Sequence, residues 1–272
     1  MRQVIYAWNY LEWGGAQIYL LAIMKAAKEH YDILVILPKD SSAEMIRFLD
    51  DAKVRYEFSE RHLDMSPAFG FWQKIKRQLR RMLVEFDTYR RLLRFDVKTT
   101  AFHIEIAPWQ SVTFLTAMSL RGAKVFLTLH NALPNASKWR ELLWKARLRF
   151  VSILPGLHFF ASNADTKNKL KGWITEEFWN DIKVTYTAVD PKEIETASTA
   201  TVDLDLLRGR FGISKDAFVV LCVGQFIDRK GRWTFLEAAK KIKTIDPTIN
   251  FVWLTSKAPD QNDKQRIDSF DL

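Results

Sequence analysis

VIYAWNYLEWGGAQIYLLAIMKAAKEHYDILVILP, residues 4–38, decides the fold. It opens on a short apolar run, Val4 to Ala7, and closes on a second, DILVILP, stopped by Pro38. Between them, Ile18, Leu21, Ala22, Met24 and Ala26 recur at helical spacing within Ala16 to His30. Strand, helix and strand in so short a stretch form a βαβ unit. Such units build a parallel sheet with right-handed crossovers.

The same alternation continues outward. KDSS supplies serines able to cap a helix over Ala43 to Asp50, and KVRYEF (53–58) reads as a third strand. RHLDMSPAFG (61–70) interrupts, and Phe71 to Phe95 reads as one long basic helix. Strands follow at VKTTAFHIEI, GAKVFLTLHN, GLHFFASN and IKVTYTA, separated by helices over Trp109 to Leu120, Ser137 to Ser152 and from Ala164. The expectation is an α/β domain over residues 1–189. Residues 190–205 are small and polar without an apolar period, and read as a linker. Residues 206–272 then supply a helix (DLLRGRFGI), a strand (DAFVVLCVG), the turn QFIDRKG, a helix (WTFLEAAKKIKTI), a strand (NFVWLTS) and a polar tail. Two strands do not close a Rossmann-like sheet, so this second domain is expected to be incomplete.

Bulk properties limit the functional classes. The 272 residues are 48% hydrophobic and 27% charged, ordinary for a globular chain with a sizeable core. No apolar run is long enough to cross a membrane. The start lacks the apolar stretch of a signal peptide, and the expected location is cytoplasmic. A single cysteine, Cys222, excludes an internal disulfide and reads as a small buried hydrophobe. The net charge of +9 favours an anionic partner: acidic lipid, a phosphate-bearing substrate or nucleic acid. No recognised nucleic-acid module is present, so nucleic acid is not expected.

Candidate site residues cluster where strands end. Gly14 and Gly15 follow the first strand and open a helix, so backbone N–H groups there can approach an anion; a tight turn without ligand is the alternative. The spacing is not that of a dinucleotide fingerprint. His130 and Asn131 end the strand FLTLHN, at the edge where open α/β sheets bind ligands; a histidine there that simply caps the sheet and hydrogen-bonds a loop is the alternative. His103 and Glu105 end an earlier strand at that edge, and Glu12 lies in the turn before the glycines.

Five segments, in order, resemble retaining glycosyltransferases of the GT-B class, family 4. GGAQIYLLAIMKAAKE is similar to their glycine-opened first helix, and FLTLHN to the strand ending in histidine beside the cleft. FFASNADTKNKL, with Ser162, resembles a strand-to-helix segment, and IKVTYTAVDPKEI the passage into the second domain. LRGRFGISKDAFVVLCVGQFIDRKGRWTFLEAAKKI resembles the stretch that opens the donor domain.

The resemblance implies two Rossmann-like domains that bind a nucleotide sugar and transfer a hexose, with retention, to a glycan or glycolipid hydroxyl. It implies no metal and no cofactor beyond the donor substrate. His130 would line the cleft near the transferred sugar, Gly14 and Gly15 would approach the donor phosphates or the acceptor, and Lys230 would hold the departing diphosphate. Glu12, His103, Glu105 and Asn131 would lie on the acceptor side. Gln225 stands where the family has arginine, and Thr187-Ala188 where it commonly has Asn-Gly. The family's paired donor-site glutamates lie downstream of Leu272, so the donor site is expected to be incomplete here. The rival expectation is a non-catalytic binding or docking protein that keeps a phosphate- or glycan-binding cleft.

In the long helix, Lys74, Lys76, Arg77, Arg80, Arg81, Arg90, Arg91 and Arg94 interleave with Phe71, Trp72, Ile75, Leu79, Met82, Leu83, Phe86, Leu92 and Leu93. A basic amphipathic helix of this kind can lie on an anionic membrane. The alternative is a helix packed on its domain with a solvated basic face.

Overall fold

A computed structural model describes residues 2–11, 14–61, 70–130, 136–186, 191–199, 201–255 and 258–270. Glu12, Asn131, Thr187 and Ala188 lie outside the described residues.

In chain order the elements are β1 (Gln3–Ala7), α1 (Gly15–Ala27), β2 (Asp32–Pro38), α2 (Ala43–Asp51), β3 (Arg55–Ser59), α3 (Phe71–Leu92), β4 (Thr100–Ile104), α4 (Val112–Leu120), β5 (Lys124–Leu129), α5 (Lys138–Val151) and β6 (Leu157–Ala161). Then come α6 (Ala164–Lys169), α7 (Glu176–Asp181), β7 (Lys183–Val184), α8 (Pro191–Thr199), α9 (Leu204–Arg210), β8 (Val219–Val223), α10 (Arg232–Lys243), β9 (Asn250–Leu254) and α11 (Gln261–Asp268). The chain divides into two compact units, Met1–Ile194 and Glu195–Leu272.

In the first unit, seven parallel strands run in the order β3-β2-β1-β4-β5-β6-β7. Each face buries its own core. On one, Tyr6, Val35 and Leu37 pack with Leu20 and Met24 of α1 and Met45 and Leu49 of α2. On the other, Ile5, Phe102 and Leu127 pack with Leu92 of α3, Leu115 and Met118 of α4, and Leu148 and Val151 of α5. Burial on both faces explains why β2 is apolar along nearly its whole length. Strand order reverses between β1 and β4, a topological switch point, where open α/β sheets form a crevice at the carboxyl ends of their strands.

The second unit has the parallel pair β8-β9 with α9, α10 and α11. Among its described residues, Phe226 and Ala239 are the fully buried hydrophobics.

Several sequence expectations are corrected. α1 buries Gln17, Tyr19, Leu20, Leu21 and Met24, whereas Ile18 is exposed: two polar-tipped residues turn inward where apolar ones were expected. The stretch read as linker is helical over α8. Pro191 opens it, as suits proline's fixed φ, and the carbonyl of Glu195 accepts from Ser198 and Thr199 hydroxyls. α7 and α11 were not foreseen, and β7 is only two residues long. Cys222 is half-buried rather than buried. Ser42 does cap α2, accepting from the Met45 N–H at 3.3 Å.

Candidate functional site

The carboxyl ends of β1, β4 and β5 bring one carboxylate, two imidazoles and three phenols together. Register sets this up. Tyr6 of β1 pairs with His103 of β4, and the Glu105 N–H donates to the Ala7 carbonyl at 3.0 Å just past the strand ends. Glu105 is buried, its side chain 4% exposed. Its Oε2 accepts from the Tyr10 hydroxyl at 2.6 Å and lies 3.5 Å from Nε2 of His130. Its Oε1 lies 3.4 Å from Nδ1 of His103, whose Nε2 meets the Thr128 hydroxyl at 2.9 Å.

Tyr19, reaching in from α1, sets its ring edge-on to His130 at 5.3 Å and hydrogen-bonds Thr185 beyond β7. The Ser162 hydroxyl donates to the His130 carbonyl at 3.2 Å and so fixes the end of β5.

The electrostatics follow from burial. Burial first, then the Glu105 charge, pushes the Tyr10 phenol far above its ordinary range; Tyr6 is raised for the same reasons. Tyr19 is raised by burial as well, opposed by its bond to Thr185. All three therefore remain protonated donors at neutral pH. Burial also depresses His103, against the pull of Glu105 and with the help of His130, so this ring stays neutral. A neutral ring with its proton on Nδ1 faces Glu105 while accepting from Thr128.

The cluster is not saturated. Although Glu105 is within ion-pair distance of both imidazoles, His103 Nδ1, Glu105 Oε1 and His130 Nε2 are buried without a hydrogen-bond partner among the described residues. These atoms face one another at 3.4–3.5 Å, within electrostatic reach but outside good hydrogen-bond geometry, and so keep capacity for a further partner. Together they form a buried polar cluster at the carboxyl edge of the sheet, beside the switch point between β1 and β4. Among the described residues, no group of three or more His, Cys, Asp or Glu side chains is placed to hold a metal ion.

The structure thus joins His103, Glu105 and His130, and adds Tyr6, Tyr10, Tyr19 and Thr128, which the sequence reading had not singled out. Gly14 is the extended N-cap of α1 and provides no side-chain cap; a Cβ added at Gly15 would meet nothing within 4 Å.

In the second unit, Gln225 and Lys230 are exposed in the turn after β8. A single 3-10 turn, Asp228–Lys230, leads to Gly231, whose left-handed backbone (φ 75°) starts α10. The Lys230 stem passes close over Gly224, with its Cδ 3.9 Å from where a Cβ would stand. Arg232 is held by Asp228 at 2.9 Å and by the Phe226 carbonyl at 3.0 Å, while Arg229 and Lys230 are both exposed cations of the turn. An apolar gap of about 400 Å³ lined by Phe226, Phe235, Phe251 and Trp253 is a packing defect, with no converging acid–base groups.

Neither a protein-family model nor a curated protein matches this sequence. Solved structures do match. The Anabaena protein Alr3699/HepE, in complex with UDP-glucose, aligns with a TM-score of 0.67 at 15% identity, over 99% of this chain and 65% of its own. The N-terminal domain of Candida albicans trehalose-6-phosphate phosphatase aligns at 0.69 and 9% identity, over 99% and 68%. UDP-GlcNAc 2-epimerase from Neisseria meningitidis, bound to UDP-GlcNAc, aligns at 0.55 and 14% identity, over 98% and 68%. The chain spans about two thirds of the length of these structures. At such identity the likeness is one of fold: the chain has the α/β fold of the GT-B class. One fold serves more than one reaction, so function has to be argued from the site.

Proposed function

We propose that this chain is the acceptor domain and the opening part of the donor domain of a nucleotide-sugar-dependent glycosyltransferase. It transfers a hexose to a glycan or glycolipid hydroxyl with retention, as the family 4 resemblance implies, and the character of the amino-terminal sequence favours the cytoplasm. One observation carries the reading: a buried carboxylate between two imidazoles, with unpaired polar atoms, at the carboxyl edge of a GT-B sheet. Sugars are bound by such directional donors and acceptors. In this scheme His130 contacts the hexose, while Glu105, itself held by Tyr10, orients the imidazole. Gly14 and Gly15 admit the donor phosphates or the acceptor to the unblocked start of α1. Lys230 neutralises the diphosphate as it departs, where charge grows in the transition state. Gln225 contributes a hydrogen bond there without charge. The HepE complex with UDP-glucose supports a uridine-linked donor.

A second reading draws on the same acid–base cluster and on the likeness to a UDP-GlcNAc 2-epimerase. Here the nucleoside diphosphate leaves C1 as a proton is taken from C2, and both are restored with the proton on the other face of C2, His130 and Glu105 handling the proton; no acceptor is consumed.

One experiment separates them. UDP-glucose and UDP-GlcNAc are incubated with the whole protein of which this chain is proposed to be a part, with and without a glycan acceptor, and products are followed by nuclear magnetic resonance. Transfer requires the acceptor; an epimerised sugar without one establishes the second reading. Lys230→Ala should lower the transfer rate by about two to three powers of ten, the usual loss for one preorganised charge contact. It should also weaken UDP binding measured by calorimetry, and Gln225→Arg should tighten it. Wild-type rate and affinity in Lys230→Ala would remove Lys230 from the site.

A further inference from the structure

Helix α3 is much longer than the sheet it covers. Its 22 residues span about 33 Å, against about 17 Å for a five-residue strand. Two contacts show where the excess lies. Ser111, the N-cap of α4 at the sheet's carboxyl edge, donates to Glu85 at 2.7 Å, and Ser59, the last residue of β3, donates to Asp87 at 3.4 Å. Glu85 and Asp87 are therefore level with that edge, and residues 71–83 run about 20 Å past it. The helix buries only Val84 and Leu92, both beyond this projecting part.

A second helix does the same. In α5, Arg147 donates to the Trp109 carbonyl and Trp144 packs on the Trp109 ring, so those residues mark the edge and Lys138 to Leu143 stand beyond it. α3, α4 and α5 belong to one layer, since all three pack into the same core. Two helix ends thus project on one side of the sheet, at the edge that holds Glu105 and His130.

Both ends combine basic and exposed apolar side chains, with Glu141 the one acidic residue, on α5. The projecting part of α3 contains Lys74, Lys76, Arg77, Arg80 and Arg81 and no acidic residue. Its apolar residues at 71, 75, 79 and 82, continued by Phe86 at the edge, form one stripe, and they face solvent, with Trp72 beside them 79% exposed. α5 adds Lys138, Arg140, Trp139 (82% exposed) and Leu142. The stripe runs on into an apolar groove of about 290 Å³ between α3 and α4, lined by Met82, Phe86, Tyr89 and Phe114.

We infer that the projecting ends of α3 and α5 form a docking surface for an anionic lipid bilayer. Basic side chains beside exposed tryptophan and aliphatic side chains match a surface that is anionic outside and apolar beneath. A polyanion such as nucleic acid satisfies the cations but leaves the apolar stripe in water. A second copy of the chain would bring like charges face to face. On the transfer reading given above, this surface sets a lipid-anchored acceptor beside the site; the docking itself does not depend on that reading.

The test is co-sedimentation at low salt with vesicles rich in phosphatidylglycerol and with pure phosphatidylcholine vesicles. The wild-type chain should bind the first and bind the second far less. Trp72→Ala with Trp139→Ala, and separately Lys74→Glu with Lys76→Glu, should each weaken binding by about ten-fold or more, with circular dichroism and melting unchanged. No binding to phosphatidylglycerol vesicles overturns the inference, as does binding that both double variants retain. A wild-type dimer that the tryptophan variant dissociates, without vesicle binding, assigns the surface to self-association instead. Binding that an oligonucleotide displaces and the tryptophan variant retains identifies a polyanion site. UDP calorimetry on the same variants keeps the two proposals apart, because loss of docking leaves the Lys230-dependent affinity intact.

Discussion

His103 shows how a residue can be essential to a site's electrostatics without being accessible to substrate. Its ring is buried against Tyr6, bonded to Thr128 and aimed at Glu105. Burial holds its pKa below the ordinary value of 6.5 despite the attraction of Glu105. The native ring thus refuses a proton that the unfolded chain accepts. Between the depressed native value and about 6.5 the unfolded state binds more protons, so stability falls as the pH drops through that window and is fully present above it. The midpoint of urea unfolding should therefore fall between pH 7.5 and pH 5.5, roughly either side of the ordinary imidazole range. In His103→Gln, which cannot be protonated there, the dependence should flatten. An equally steep dependence in the variant would assign the acid sensitivity to another group. The same geometry bears on Glu105, which accepts from Tyr10 and lies 3.4–3.5 Å from both imidazoles.

At the scale of elements, what the sequence reveals depends on how each element is buried. β2 is legible along its full length because both faces are covered, and α2 because Ser42 caps it in the expected place. That His103, Glu105 and His130 lie at one sheet edge was legible because strand ends at a parallel sheet's carboxyl edge can be located from periodicity; a role for them came only with the family resemblance. The tyrosines were not legible. Tyr10 sits in a loop without periodicity, and Tyr19 lies on the inward face of a helix whose period suggested Ile18 instead. α8 was invisible for the opposite reason: it is a helix with almost no buried face, so no apolar period marks it. The turn before α10 offers a direct check of a local reading. Gly231 sits at φ 75°, where a Cβ is strained even though no neighbour crowds it. Gly231→Ala should destabilise by about 1–2 kcal/mol. Gly209, inside α9 at negative φ and with open space around it, is the control, and Gly209→Ala should instead stabilise by about 0.5–1 kcal/mol. Equal stability for both variants would mean that the left-handed turn holding Lys230 is not formed as described.

For the whole molecule, stability is distributed unevenly between the two units. The first has seven hydrogen-bonded strands with a core on each face. The second has a two-stranded parallel sheet, a pairing that is marginal without packing on both sides. Its strands are poorly covered: Leu221, Val223 and Leu254 are all exposed, and a gap of about 400 Å³ lies among α10, β9 and α11. What holds it is aromatic contact. Phe226 meets Trp233 and Trp253 edge-on, Phe235 meets Phe251 and Trp253, and the Trp253 indole donates to the Gly224 carbonyl at 2.8 Å. That last bond ties β9 to the turn preceding Lys230, so opening of β9 and loss of the Lys230 turn should be one event. Native-state hydrogen exchange reads this directly, since local opening energies range from near zero up to the global value. Amides of β8 and β9 should exchange orders of magnitude faster than those of β1, β2, β4 and β5. Saturating UDP should slow exchange in β8, β9 and the Asp228–Lys230 turn, because a ligand that binds only the closed form stabilises it by mass action. Uniform protection across both units would contradict the uneven packing, and protection that UDP leaves unchanged at that turn would separate nucleotide binding from Lys230.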